Sequence, residues 1–138
     1  MVMIEWNDSY SAGVEQIDQQ HRAFLALINR LSILQERGTP PAMTRRVLLE
    51  LLKYTEYHFV SEENLMILTE CPLLPQQQLE HSKLLQTMAE RYEAFGKGQE
   101  TLESILKFLV RWFTTHTSDL DKAAGFYINK YARGHATE

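Results

Sequence analysis

Apolar residues recur along this chain every three or four positions. From Ile17 the series runs through Phe24, Leu25, Ile28, Leu31 and Leu34 and stops at Gly38, the spacing of one buried helix face. Thr39-Pro40-Pro41 is a turn, with proline accepted in the first turn of the next helix. A second series, Val47, Leu48, Leu51, Leu52, Tyr54, Phe59, Leu65 and Met66, closes around Cys71-Pro72. Pro75 opens a third, with Leu79, Leu84, Leu85, Met88, Tyr92 and Phe95, stopped at Gly96-Lys97-Gly98. The fourth holds Leu102, Ile105, Leu106, Phe108, Leu109, Trp112 and Phe113 and continues to Tyr131. Nothing alternates as a strand does. Four helices with short connections predict an all-α, up-down-up-down four-helix bundle. The chain then reads as one domain, 1–138: an extended N-terminal arm (1–16), the bundle (17–131) and a tail (132–138) that includes a solvated His135.

Composition narrows the partners. Apolar residues make up 44% and charged residues 23%, a globular balance that excludes disorder. A net charge of −4 argues against a protein that neutralises nucleic-acid phosphates. No apolar run approaches the roughly 18 residues of a membrane span, and MVMIEWNDSY lacks the basic and apolar regions of a signal peptide. The lone Cys71 excludes an internal disulfide framework and multi-cysteine metal sites, and fits a reducing cytoplasm. With no apolar stripe evident beyond the bundle's own, a monomer is expected.

Candidate chemistry lies in the polar residues that interrupt the apolar stripes. The inward line of the first helix passes through His21. That of the second passes through His58 and Glu62, and that of the third through Gln77 and His81. In the fourth it reaches His116. A buried Glu62 is costly unless paired or metal-bound. At about 1.5 Å per residue, His21, His58, His81 and His116 lie roughly 24, 25, 21 and 22 Å from one end of the bundle. A single inward histidine is ordinarily a satisfied core residue. Four at one level, with a glutamate, point instead to metal. Imidazole and carboxylate suit iron, manganese or zinc, and five or more ligands exceed a tetrahedral site, which favours two metals over one.

These residues stand in an ordered set: Ile-Asp-Gln-Gln-His21-Arg, then His58-Phe-Val-Ser-Glu62-Glu-Asn-Leu-Met, Glu80-His81, and Trp112-Phe-Thr-Thr-His116 followed by Asp121. With Trp6, Tyr10, Gly13 and Val14 of the arm, the set resembles the hemerythrin family in its single-domain bacterial form, over nearly the whole chain. The resemblance implies a non-haem di-iron site with two irons per chain, an oxo or hydroxo bridge, and reversible O2 binding for storage, delivery or sensing, without turnover. His21 and His58 would hold the iron that binds O2, His81 and His116 the other, with Glu62 and Asp121 as bridges. The family's third helix carries His-x-x-x-His where this chain has Gln77-x-x-x-His81. Gln77 would then ligate through its amide oxygen, or water would take the position, or Glu80 or a neighbouring glutamine would swing in. Asp121, five residues after His116, falls about 140° round an ideal helix. Asp119 is therefore the choice of simple helix geometry, and Asp121 that of the family pattern, which requires a local distortion or a reach from a neighbouring face.

An O2 site needs a dry pocket. Phe24, Phe59, Trp112 and Phe113 are spaced to line one, or simply to pack the core, and the Phe113 ring would restrict access. Glu63 is expected on the solvated face. The altered ligand set keeps a di-iron oxidase or peroxidase as the rival function, and an iron or redox sensor as a third. An oxygen-using protein partner is compatible with a carrier.

Overall fold

The structure is a computed structural model and describes residues 1–135, so the last three residues of the tail lie outside it. Four long helices form the up-down-up-down bundle: α1 (Glu15–Glu36), α2 (Pro41–Leu68), α3 (Leu74–Gly96) and α4 (Leu102–His116). A π-turn over Thr117–Asp121 leads from α4 directly into α5 (Lys122–Gly134). Among the described residues no strand occurs, and no helix is long and apolar enough to cross a membrane.

Local chemistry sets the ends. Gly38, at φ 72°, adopts a left-handed conformation that a side chain disfavours, and it lets the chain close α1 by bonding back to Gln35. Pro41 occupies the first turn of α2, where its missing N–H costs nothing. Thr101 caps α4 by accepting from the Ser104 backbone N–H. Two boundaries differ from the expectation. The helical bundle begins at Glu15, not Ile17, because the arm delivers Val14 as the helix N-cap. The last helix runs to Gly134, three residues past Tyr131. His135 follows it, exposed, with Nδ1 on the Tyr131 carbonyl.

The arm is tied down rather than trailing, and Asp8–Tyr10 form a single 3-10 turn within it. The Asn29 side chain accepts from the Ile4 N–H and donates to its carbonyl, as a neighbouring strand would. Buried Asp18 on α1 accepts from the Ser11 hydroxyl and the Ala12 N–H. The arm then crosses α5 at Gly125, where a Cβ would lie 1.8 Å from the Ala12 carbonyl oxygen. Gly125→Ala is therefore expected to destabilise the protein by about 1–3 kcal/mol, as overpacking does, although alanine is the better helix former. Urea melts check this, and a more stable variant would refute the close approach.

Two apolar clusters bracket the level of the histidines. The larger includes Phe24, Ile28, Leu31, Leu51, Leu84, Leu106, Leu109 and Phe113. The smaller, at the other side of that level, includes Ile17, Met66, Cys71, Ala124 and Ile128. Cys71 is thus buried, not available on the surface. Tyr57, Val60, Ile67 and Leu68 stand exposed along α2. Closing the bundle does leave an apolar stripe, so the basis for expecting a monomer is removed.

Candidate metal centre

His21, His58, Glu62, Gln77, His81, His116 and Asp121 are all buried, and all converge between the two clusters. Each of the four long helices contributes, because each carries a polar residue on its inward line at this height. Asp121 arrives by the π-turn. An i→i+5 turn brings the fifth residue back above the first, so Asp121 faces the same way as His116, 3.1 Å from it. Asp119 is left exposed on the outside.

The two carboxylates divide the histidines into pairs. Asp121 Oδ2 lies 3.1 Å from His21 Nε2, and Oδ1 lies 3.1 Å from His116 Nε2. Glu62 Oε2 lies 3.5 Å from His58 Nε2, and Oε1 lies 3.5 Å from His81 Nε2. Each carboxylate therefore turns one oxygen to the His21/His58 half and the other to the His81/His116 half. Ligand atoms of Glu62, His81, His116 and Asp121 lie within 4.8 Å of one another, as do those of His21, His58 and Glu62.

These groups lack protein partners. His21 Nδ1, Glu62 Oε2, Gln77 Oε1, His81 Nε2, His116 Nε2 and Asp121 Oδ2 are buried without a hydrogen bond. One such atom is costly and calls for a reason. Four of these, Glu62 Oε2, His81 Nε2, His116 Nε2 and Asp121 Oδ2, belong to groups that face one another across the site, and as lone-pair donors to a cation they fit a metal centre of nitrogen and oxygen ligands.

The electrostatics follow from burial. Desolvation, then the neighbouring His21, pushes His58 down to about 3, so it presents a neutral imidazole. Burial likewise lowers His81, against the pull of Glu63. Burial, then the charge of Asp121, raises the Glu62 carboxyl well above its usual range. Burial also works on Asp121, but the His116 and His21 imidazoles on either side outweigh it and hold that carboxyl well below the usual range. One proton-prone and one firmly ionised carboxylate share the site.

Gln77 does not present its oxygen. Its amide nitrogen donates to Glu62 Oε1 at 3.0 Å and to Asp121 Oδ1 at 2.8 Å, both on the His81/His116 half. To offer Oε1 to a metal the amide must turn over. Glu80 stays half-exposed beside Lys83, outside the cluster. The aromatic residues fall into two sets. Phe113 packs edge-on to His21 and stacks on Phe24. Phe59 lies flat on His81, ring centroids 3.7 Å apart, and Trp112 stacks on His116. The first set lies beside His21, while Phe59 of the second also tilts against His58, ring centroids 5.7 Å apart.

Three neighbours were not legible in the sequence. Gln20 Oε1 meets His58 Nδ1 at 2.6 Å. Glu63, expected in solvent, has its carboxylate 2.8 Å from His81 Nδ1, because one residue beyond Glu62 on α2 still faces the seam with α3. Tyr10 of the arm packs edge-on against Phe113.

Residues 12–123 match the family described as Hemerythrin HHE cation binding domain, and the chain belongs to the hemerythrin family. A bacteriohemerythrin of Stenotrophomonas maltophilia is 29% identical over 98% of this chain and 90% of that protein. One of Pseudomonas aeruginosa is 28% identical over 88% and 78%. A solved wild-type hemerythrin has the same fold, with a TM-score of 0.84 at 24% identity, covering 92% of this chain and 98% of the other.

Proposed function

We propose that this protein binds O2 reversibly at a non-haem di-iron site, for oxygen storage, delivery or sensing in the cytoplasm, and does not turn a substrate over. The observation that carries this reading is the double straddle: both carboxylates turn one oxygen to each histidine pair, as ligands bridging two metals must. Membership of a family described as cation binding, with relatives named bacteriohemerythrin, supports it. His21 and His58 would hold one iron, His81 and His116 the other, and Glu62 and Asp121 would serve both. Such a pair would supply the redox chemistry of reversible O2 binding.

The chain's own residues do the rest. Neutral His58 and His81 keep their lone pairs available at ordinary pH. Phe24, Phe113 and Tyr10 exclude water beside His21, which protects a bound ligand from hydrolysis or displacement. Anaerobic loading with ferrous iron is expected to give two irons per chain. A visible band should then appear with O2 and vanish on its removal. A single iron, or no such band, overturns the proposal.

One observation favours a second reading. A groove of about 320 Å³, lined by Gln76, Glu80, Trp112, His116 and Asp119, opens on the His116 side. It gives small molecules an approach to the half that Gln77 alters. Repeated consumption of peroxide or of a reductant, in place of a band that cycles with O2, would identify an oxidase or peroxidase.

A further inference from the structure

The two halves of the site are not equally furnished. On the His21/His58 half, Glu62 Oε2 and Asp121 Oδ2 are unpartnered and free to bind. On the His81/His116 half, both carboxylate oxygens already accept from the Gln77 amide. A donated hydrogen bond withdraws electron density from an oxygen, so this half offers its metal weaker carboxylate donors.

The outward nitrogens of the imidazoles show the opposite asymmetry. His58 Nδ1 meets a neutral amide oxygen, that of Gln20, itself held by Ser61. His81 Nδ1 meets a full carboxylate, Glu63. Either acceptor fixes the hydrogen on Nδ1 and frees the Nε2 lone pair for metal, but a carboxylate also makes the ring a stronger donor. Glu63 is committed to this task. Its side chain is 21% exposed, and His81 is its sole charge-pair partner among the described residues. Phe59, parallel to the His81 ring within 3°, fixes the plane in which Glu63 and the site are reached from opposite edges.

We propose that Glu63 is a positioning residue that strengthens His81 and so compensates for the carboxylate oxygens taken up by Gln77, retaining metal on the His81/His116 half. This rests on the two-metal reading above. The test is release of ferrous iron from the anaerobically loaded chain to a coloured chelator. Glu63→Gln keeps an acceptor on Nδ1 but removes the charge. It is expected to release one of the two irons about 10-fold faster, the low end for changes behind a metal ligand, and the other at the wild-type rate. Gln20→Glu, which puts a carboxylate behind His58, is expected to slow release of the other iron. In a Gln77→His background, where the amide no longer occupies the oxygens and an imidazole is added, the Glu63→Gln effect should shrink to less than about 3-fold, since the half no longer depends on one strengthened ligand. Unchanged release, equal acceleration of both irons, or the same factor in the Gln77→His background overturns the role of Glu63 alone. A wild-type chain that loads fewer than two irons overturns the two-metal reading, and this inference with it.

Discussion

On the two-metal reading proposed above, Asp121→Asn, which preserves shape, and Asp121→Ala are both expected to fold and to lose at least one of the two metal ions, whereas Asp119→Ala keeps both. Asp121 is the only aspartate in the cluster, and its two oxygens serve both halves, 3.1 Å from His21 and from His116. Removing it strips each metal of an anionic ligand at once. The loss of affinity should therefore exceed the roughly 10–100-fold typical of changes behind a ligand. Asp119 is exposed on the groove beside Trp112, so its loss touches no buried donor. Metal counted per chain after desalting distinguishes the two. Equal retention by Asp119 and Asp121 variants would remove Asp121 from the site and leave the π-turn without a purpose there.

That π-turn marks the limit of what the sequence reveals. The helices, their order and the common height of the histidines follow from a repeat of three to four and a rise of 1.5 Å per residue. Such arithmetic holds only while the helix stays regular. Nothing in Thr-Ser-Asp-Leu-Asp announces an i→i+5 turn, and ideal geometry selects Asp119 in its place. The hydroxyls of Thr117 and Ser118 bond back to the Phe113 and Thr114 carbonyls, but threonine and serine do so in ordinary helices too. Gln20 and Glu63 escaped for a different reason. They lie beside the inward stripe, at the seams between helices, and which seam closes over a flanking residue depends on how the helices are rotated against each other. Asp18 was within reach. It stands three residues before His21 on the same face, and an acid there, next to Ile17, signals a buried partner, which proves to be the arm.

Stripped of metal, the protein is expected to lose stability more gently between pH 6.5 and 4.5 than below 4.5. Burial and the neighbouring His21 bring the His58 pKa from 6.5 to about 3. Between those values the unfolded chain binds a proton that the folded chain refuses, so stability falls as pH falls. The full window is worth on the order of 5 kcal/mol. His81, also lowered by burial, adds to the decline. Glu62 opposes it. Burial and Asp121 raise its carboxyl well above 4.5, so the folded state takes up that proton first and gains stability as pH descends toward 4.5. Below 4.5 the unfolded chain binds it as well and the opposition is spent. Asp121, held well below 3.8 by His116 and His21 against its burial, then joins the histidines. Glu62→Gln removes the opposing carboxyl. In its chelated form this variant is expected to be more stable than wild type at pH 7 and to decline more steeply than wild type between pH 6.5 and 4.5. Urea melts of both chelated proteins from pH 3.5 to 8 separate the contributions. Superimposable curves would show that Glu62 is not the group that resists ionisation in the empty centre.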